Sequence, residues 1–359
     1  GGLIGYICAS GDNTGEVTGN TLTECSVDGI GNGIYAGGKS EYIIGMLVGN
    51  YNCNGTCKDN VVYGMTTTAT KVIGKIEAGK VVNESNNIVT YVVENYAELK
   101  TAVINGGKIE LANDITVDEW IMFSEDYNIS SGEIITIDEI NVTIDGKGHT
   151  LTVNAIESAG NGDQLFQGAS VLNISNLTIK YADGLTTGGL GLDSGVIKNV
   201  HFIGGGSASA SAAIFPHSGE IKVEECIFDT NGVAIYFEHE CDNLTVTGCT
   251  FNQKADKNVI LLRGDVKFTD NIVNSGRTVN VVSGSPVVTG NNFNNVRFKV
   301  YGAATATISN NIINKLEFDG TTYASTFTNN TLSDAAQAVL DSKTKVTLPE
   351  QILLSISSS

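Results

Sequence analysis

Two of the four histidines, His217 in IFPHSGE and His239 in YFEHECD, lie near carboxylates and at the ends of short apolar strands. Aligning the strands AAIF (from 212), VAIYFE (233), NVILL (258), VNVV (279), RFKV (297) and KLEF (315) puts Asp193, His217, Glu238, Arg263, Tyr301 and Asp319 near one outward column, with His239 beside it. A base, a carboxylate and a guanidinium on adjacent strands can abstract a proton next to a uronate carboxyl or protonate a glycosidic oxygen. Charged strand ends are equally the solvated face of any β-stack, and a register error of one residue turns half of such a column inward. The column is therefore a candidate binding groove, and no residue in it is assigned a catalytic role.

What must hold such a column is a repeat. A six-residue frame with apolar ends occurs as ISNLTI (174), IKNVHF (197), VEECIF (223), VTGCTF (246), FTDNIV (268), VTGNNF (288), ISNNII (308) and FTNNTL (327), with starts 23, 26, 23, 22, 20, 20 and 19 residues apart. A period near 20 residues marks a solenoid, in which each unit buries its apolar face only against its neighbours. The runs alternate with period two and are broken by Gly or Asn, so the unit is a coil of short strands. Coils of this kind stack as a parallel β-helix, rising about 4.8 Å each.

The fourth position of the frame reads Leu177, Val200, Cys226, Cys249, Asn271, Asn291, Asn311 and Asn330. Stacked Asn271, Asn291, Asn311 and Asn330 form an expected internal ladder, whose amides satisfy the backbone where each coil turns. Cys226 and Cys249 share the column. In-register Cβ vectors disfavour a disulfide, so two reduced core thiols are expected. Asn176, in the sequon NLT, is expected to be buried in the repeat.

The stack needs caps. Asn95 as N-cap, Glu98 three residues on, the stripe Leu99, Ala102 and Val103, and the stop Gly106-Gly107 predict a cap helix near 95–105. Ser333 can cap a second helix near 333–342, covering the last coil with Ala335, Ala338 and Val339, after which KVTLPEQILLSI reads as an edge strand. Residues 1–93 follow a different rule: LIGYI (3), IIGML (43) and VIGKI (72) repeat a Gly-rich phrase, each followed by a second strand. The expected division is a smaller Gly-rich β-repeat module at 1–93 and a β-helix at 94–359, an all-β chain with short capping helices. Further units are expected ahead of residue 1.

With 21 basic and 39 acidic residues the formal charge is -18, which argues against nucleic acid and anionic membranes. The longest apolar runs fall well short of the roughly 20 residues a spanning helix requires, so no transmembrane segment is expected. Seven cysteines are too few for a disulfide scaffold. Cys53 and Cys57 in NCNGTC lack a second pair, so neither a metal nor a cofactor is expected. Segment 118–133, with Trp120, Met122, Phe123 and Tyr127, and the insertion GGGSASASAA at 204–213 are expected loops; the aromatics either stack on sugars or plug the stack.

GGLIGYI and IGMLVGNY resemble GLUG-type repeats of bacterial surface proteins, and the chain from about 94 resembles the right-handed parallel β-helix, or pectate-lyase-like, superfamily through AELKTAVINGGKIELANDITV and VTIDGKGHTL. The pairing is similar to secreted or surface proteins of gut Bacteroidetes. The resemblance implies export and reduced dependence on cysteine, and it implies no substrate; separately, a monomer that presents an extended face to polysaccharides or host glycans is expected. The superfamily spans lyases, hydrolases, tailspikes and adhesins, so activity does not follow from it. Its lyases cluster Asp around calcium opposite a basic residue, and its hydrolases group Asp closely; neither cluster is visible in this sequence. The leading expectation is a non-catalytic adhesin, and the alternative a polysaccharide lyase or glycoside hydrolase.

Overall fold

One corner, repeated coil after coil, lets short parallel strands stack. The residue before each inward Asn takes a left-handed conformation: Asp270 (φ 56), Gly290 (φ 71), Asn310 (φ 57) and Asn329 (φ 53) precede Asn271, Asn291, Asn311 and Asn330. Gly, Asn and Asp tolerate that region best, which is why the third position of the frame keeps returning to them. The computed structural model describes residues 4–7, 15–23, 26–27, 48–51, 54–67, 73–76, 81–85, 87–105, 107–118, 141–154, 165–166, 171–182, 189–205, 212–217, 219–236, 241, 243–253 and 256–347.

The chain divides into two compact units, one of residues 1–159, 164–182 and 195–200, the other of 160–163, 183–194 and 201–359. Both are parallel β-solenoids. In the first, Thr21–Thr23, Val61–Thr67, Ile88–Val93, Gly107–Leu111, Asn141–Asp145 and Val171–Tyr181 pair successively in parallel. The ladder runs across residue 93 without a break in pairing. The same left-handed corner operates here: Gly19 (φ 67) and Asp59 (φ 56) precede Asn20 and Asn60. Asn60 Oδ1 accepts from Asn20 Nδ2 at 3.0 Å, and Asn60 Nδ2 donates to Asn87 Oδ1 at 2.8 Å.

Helix α1 (Tyr96–Asn105) has the expected reciprocal cap. Glu98 N donates to Asn95 Oδ1 at 3.1 Å, while Glu98 carboxylate oxygens accept from Asn95 Nδ2 and Glu94 N, each at 2.8 Å. Leu99, Ala102 and Val103 are buried. Asn176 is not buried as expected: it is an exposed, left-handed corner residue (φ 54), its amide donating to Asp145 and accepting from Asn199. The frame's third position faces out because the chain turns there.

Glu110, only 6% exposed, gathers Tyr63 Oη at 2.8 Å and Lys108 and Lys147 Nζ at 3.2 Å each. Burial pushes its carboxyl upward, but the hydrogen bonds from Tyr63, Lys147 and Lys108 outweigh that and hold its pKa below the ordinary value. A depressed folded pKa means the stabilisation is complete above the unfolded carboxylate range and is lost as pH falls through the folded value. Glu110→Gln is expected to cost about 1–2 kcal/mol at pH 7 and to flatten the acid limb of the stability curve. Thermal melts between pH 3 and 7 read both; a parallel offset at every pH would contradict the assignment.

In the second unit the frame's fourth-position column is buried throughout Cys226, Cys249, Asn271, Asn291 and Asn311. Each Asn Oδ1 accepts from both the backbone and side-chain N–H of the preceding coil's Asn: Asn271 to Asn291 at 2.9 and 3.0 Å, Asn291 to Asn311 at 2.9 Å each, Asn311 to Asn330 at 2.9 and 3.0 Å. Neither cysteine is in a disulfide, and Cys249 continues the chain by accepting Cys226 N at Sγ (3.4 Å) while its own N–H reaches Asn271 Oδ1 (2.9 Å). The hydrogen bond with the Cys226 thiol, then burial, push the Cys249 thiol well up, so it stays protonated. Behind them Phe202, Phe228 and Phe251 stack at 5.0 and 4.8 Å between centroids.

Helix α2 (Asp334–Asp341) is capped by Ser333 Oγ, which accepts Ala336 N at 3.1 Å. It buries Ala336, with Val339 and Leu340 half-buried, and leaves Ala335 and Ala338 exposed. The inward stripe is thus rotated by one position from the expected one, although the cap is the expected Ser333; the rotation places Leu340, larger than Ala335 or Ala338, against the last coil. Thr344–Lys345 then pairs in parallel with Thr322–Tyr323; the remainder of the expected edge strand, from 348, lies outside the described residues.

Candidate functional site

One sheet of the second unit carries the sequence-derived column. Its strands are Leu190–Leu192, Ala212–Pro216, Val233–Ile235, Ile260–Leu262, Thr278–Val281, the second half of Asn292–Tyr301, and Ile312–Asp319. Register runs Leu190↔Ile214↔Ile235↔Ile260↔Val279↔Phe298↔Leu316. Three residues beyond these positions come Asp193, His217, Arg263, Val282, Tyr301 and Asp319. Glu238 and His239 lie outside the described residues. Val282 interrupts the charged column on a coil for which the sequence alignment had supplied no side chain.

At one end His217 Nδ1 lies 3.3 Å from Asp193 Oδ1, with the side chains 37% and 45% exposed. A carboxylate on one ring nitrogen orients the imidazole and leaves the other nitrogen facing solvent. At the far end Lys299 Nζ bonds Asp319 (3.1 Å) and Glu317 (3.3 Å) and sits 4.7 Å from the centroid of Tyr301. Tyr301 and Asp319 are therefore parts of a closed ion-pair and cation–π network, not a free acid and base. Among the described residues no three His, Cys, Asp or Glu side chains converge as a metal-ligand set.

The outward neighbours two residues before the column were missed by sequence reasoning. Phe215 and Tyr236, both half-buried, meet edge to face at 6.1 Å on adjacent coils. Period-two alternation from the inward Ile214 and Ile235 marks both as outward, so the signal was present. Across the corner of the solenoid a second polar row was also missed. Asn252 donates to Asp229 at 2.9 Å, Asn274 to Asn252 at 2.9 Å, Asn294 to Asn274 at 2.7 Å, and Asn314 to the Asn294 carbonyl at 2.9 Å. His201 Nε2 closes one end on Asp229 at 2.7 Å. Beside this row Ile227, Ile272 and Ile312 are 40%, 44% and 42% exposed. The result is an outer surface of amides and aliphatic side chains repeated at the coil spacing.

Such an arrangement defines a class: a parallel β-solenoid whose exposed sheet bears aromatic rings and an oriented imidazole. Comparison with known families bears on the solenoid and not on those side chains. Residues 90–202 are similar to the family described as a pectate lyase-like adhesive domain, a match that includes Asp193 and ends before His217. No curated protein and no solved structure matches the chain.

Proposed function

We propose that this chain is a non-catalytic, cell-surface or secreted adhesive protein that binds glycans on the exposed sheet of its second unit. The observation that carries the reading is the Phe215–Tyr236 pair, half-exposed on neighbouring coils beside His217 and Asp193. Rings held rigidly by strands offer flat apolar area to sugar faces at little entropic cost, and the nearby imidazole and carboxylate supply hydrogen bonds to hydroxyls. The likeness of 90–202 to an adhesive family supports the adhesive role. No helix among the described residues is long and apolar enough to cross a membrane. GLUG-type repeats at 1–93, a Bacteroidetes-like origin and a monomeric state belong to the same reading.

The enzymatic alternative rests on the Asp193–His217 pair with Arg263 further along the same edge. Native affinity electrophoresis through gels containing plant and host polysaccharides, followed by assay for cleavage products, separates the two. Retardation without products is expected, with Tyr236→Ala weakening it about 3- to 10-fold, the worth of one aromatic contact, and His217→Ala producing no change in products. Unsaturated uronates or new reducing ends that vanish in His217→Ala would make the groove an active site and sink the adhesive reading.

A further inference from the structure

The same sheet has a second edge, where the strands begin, and its chemistry is opposite to that of the chain as a whole. An open pocket of about 370 Å³ is lined by Asp256, Gly276, Arg277, Asn295, Arg297 and Lys315. Arg297 pairs in register with Thr278 on one side and Lys315 on the other, and Arg277 immediately precedes Thr278, so three cations come from three successive coils. In a chain with 39 acidic and 21 basic residues, three cations share this pocket with one lining carboxylate.

Their partners leave much of that charge unanswered. Arg297 Nε bonds Glu317 Oε2 at 3.1 Å; among the described residues Lys315 Nζ reaches only the Asn295 carbonyl, at 3.1 Å, and no carboxylate pairs with Arg277. Like charges directly opposite on neighbouring strands destabilise a sheet, and Arg297 opposite Lys315 is such a pair. The pocket wall has no room for a side chain at one point. Gly276 sits at φ +127, and a Cβ there would meet Val259 Cγ2 at 2.6 Å, so no side chain can fill the pocket from that position.

We propose that this pocket binds a tetrahedral oxyanion ester, sulfate or phosphate, carried on a glycan chain. A planar carboxylate is best met by a single guanidinium fork. Here the donors are two guanidiniums and an ammonium, with the Asn295 amide, spread over three coils about 4.8 Å apart, which suits a group with three terminal oxygens. The inference rests on the glycan-binding reading above and specifies its ligand class. Arg297 and Tyr301 stand at the two ends of one strand segment, about 13 Å apart by the strand rise, so one short oligosaccharide can touch both edges of the sheet.

The test uses the full chain and four soluble polymers: dextran sulfate, a phosphomannan, polygalacturonate and neutral dextran. Retention by dextran sulfate, phosphomannan or both is expected, weakened at least tenfold in Arg277→Gln/Lys315→Gln, with a melting temperature no lower than that of the parent, because both residues are exposed and the repulsion between Lys315 and Arg297 is relieved. The polymer retained identifies which ester is read. Unchanged retention in the double variant overturns the proposal. So does equal, variant-sensitive retention by polygalacturonate, which would make the pocket a carboxylate site. Retention by neutral dextran or the neutral polysaccharides alone defeats this pocket and leaves glycan adhesion standing. If no polysaccharide of either panel retains the protein, the adhesive reading falls with it.

Discussion

Asn291→Leu is expected to destabilise the second unit by about 3–5 kcal/mol, the cost of several buried polar groups losing their partners at once. Asn291 Oδ1 accepts from Asn271 N and Nδ2; its Nδ2 donates to the carbonyls of Phe268 (2.8 Å) and Thr289 (3.1 Å) and to Asn311 Oδ1 (2.9 Å). Leucine matches the volume and none of the bonds, in a position where water does not enter. The outer row is the internal comparison: Asn294→Ala removes similar chemistry in solvent and should cost less than about 1 kcal/mol. Urea unfolding of both variants decides the matter. Equal effects would mean that burial is not what gives the inner ladder its weight.

Phe251→Ala should be comparably damaging, at about 3–5 kcal/mol. The ring is fully buried, nearly parallel to Phe228 at 4.8 Å and 5.7 Å from Phe268. Removing it opens a cavity between coils whose strands are held at the β spacing and cannot close over it. A loss below about 1.5 kcal/mol, the range of a volume-conserving swap, would show that the coils can collapse into the gap.

The inner ladder and the His217 column were legible for the same reason. Parallel stacking puts equivalent residues one above another, so a correct repeat alignment is already a register. The frame was cut one residue short, however. Extending it by one position adds Asp229, Asn252, Asn274, Asn294 and Asn314, the row that the structure shows bonded along the axis. The dipeptides Gly19-Asn20 and Asp59-Asn60 carry the same corner signal as Gly290-Asn291, but the Gly-rich phrases around them drew attention to a different period. The buried face of α2 was misplaced although its cap, Ser333, was read correctly, because in DAAQAVLD the small residues let either Ala335, Ala338 and Val339 or Ala336, Val339 and Leu340 serve as the inward stripe. Arg297 and Lys315 open the aligned strands RFKV and KLEF, and Arg277 lies one coil before Arg297; they escaped notice because the alignment was read only for the outward column at the far ends of those strands.

The inner ladder also has a direction. From Asn271 to Asn330 each amide oxygen receives its bonds from the coil before, and each such set joins only two neighbours. If the two ends of this unit were drawn apart by force, the sets would lie in series, each carrying the whole force, and the first to yield would release its coil alone. Each coil that lets go frees 19 to 23 residues between the frames of this unit, or roughly 65–80 Å of slack at about 3.4 Å per residue. That slack relaxes the tension before the next coil is reached. The protein would behave as a tether that pays out in steps and dissipates a pull, where a protein with one undivided core would hold and then break.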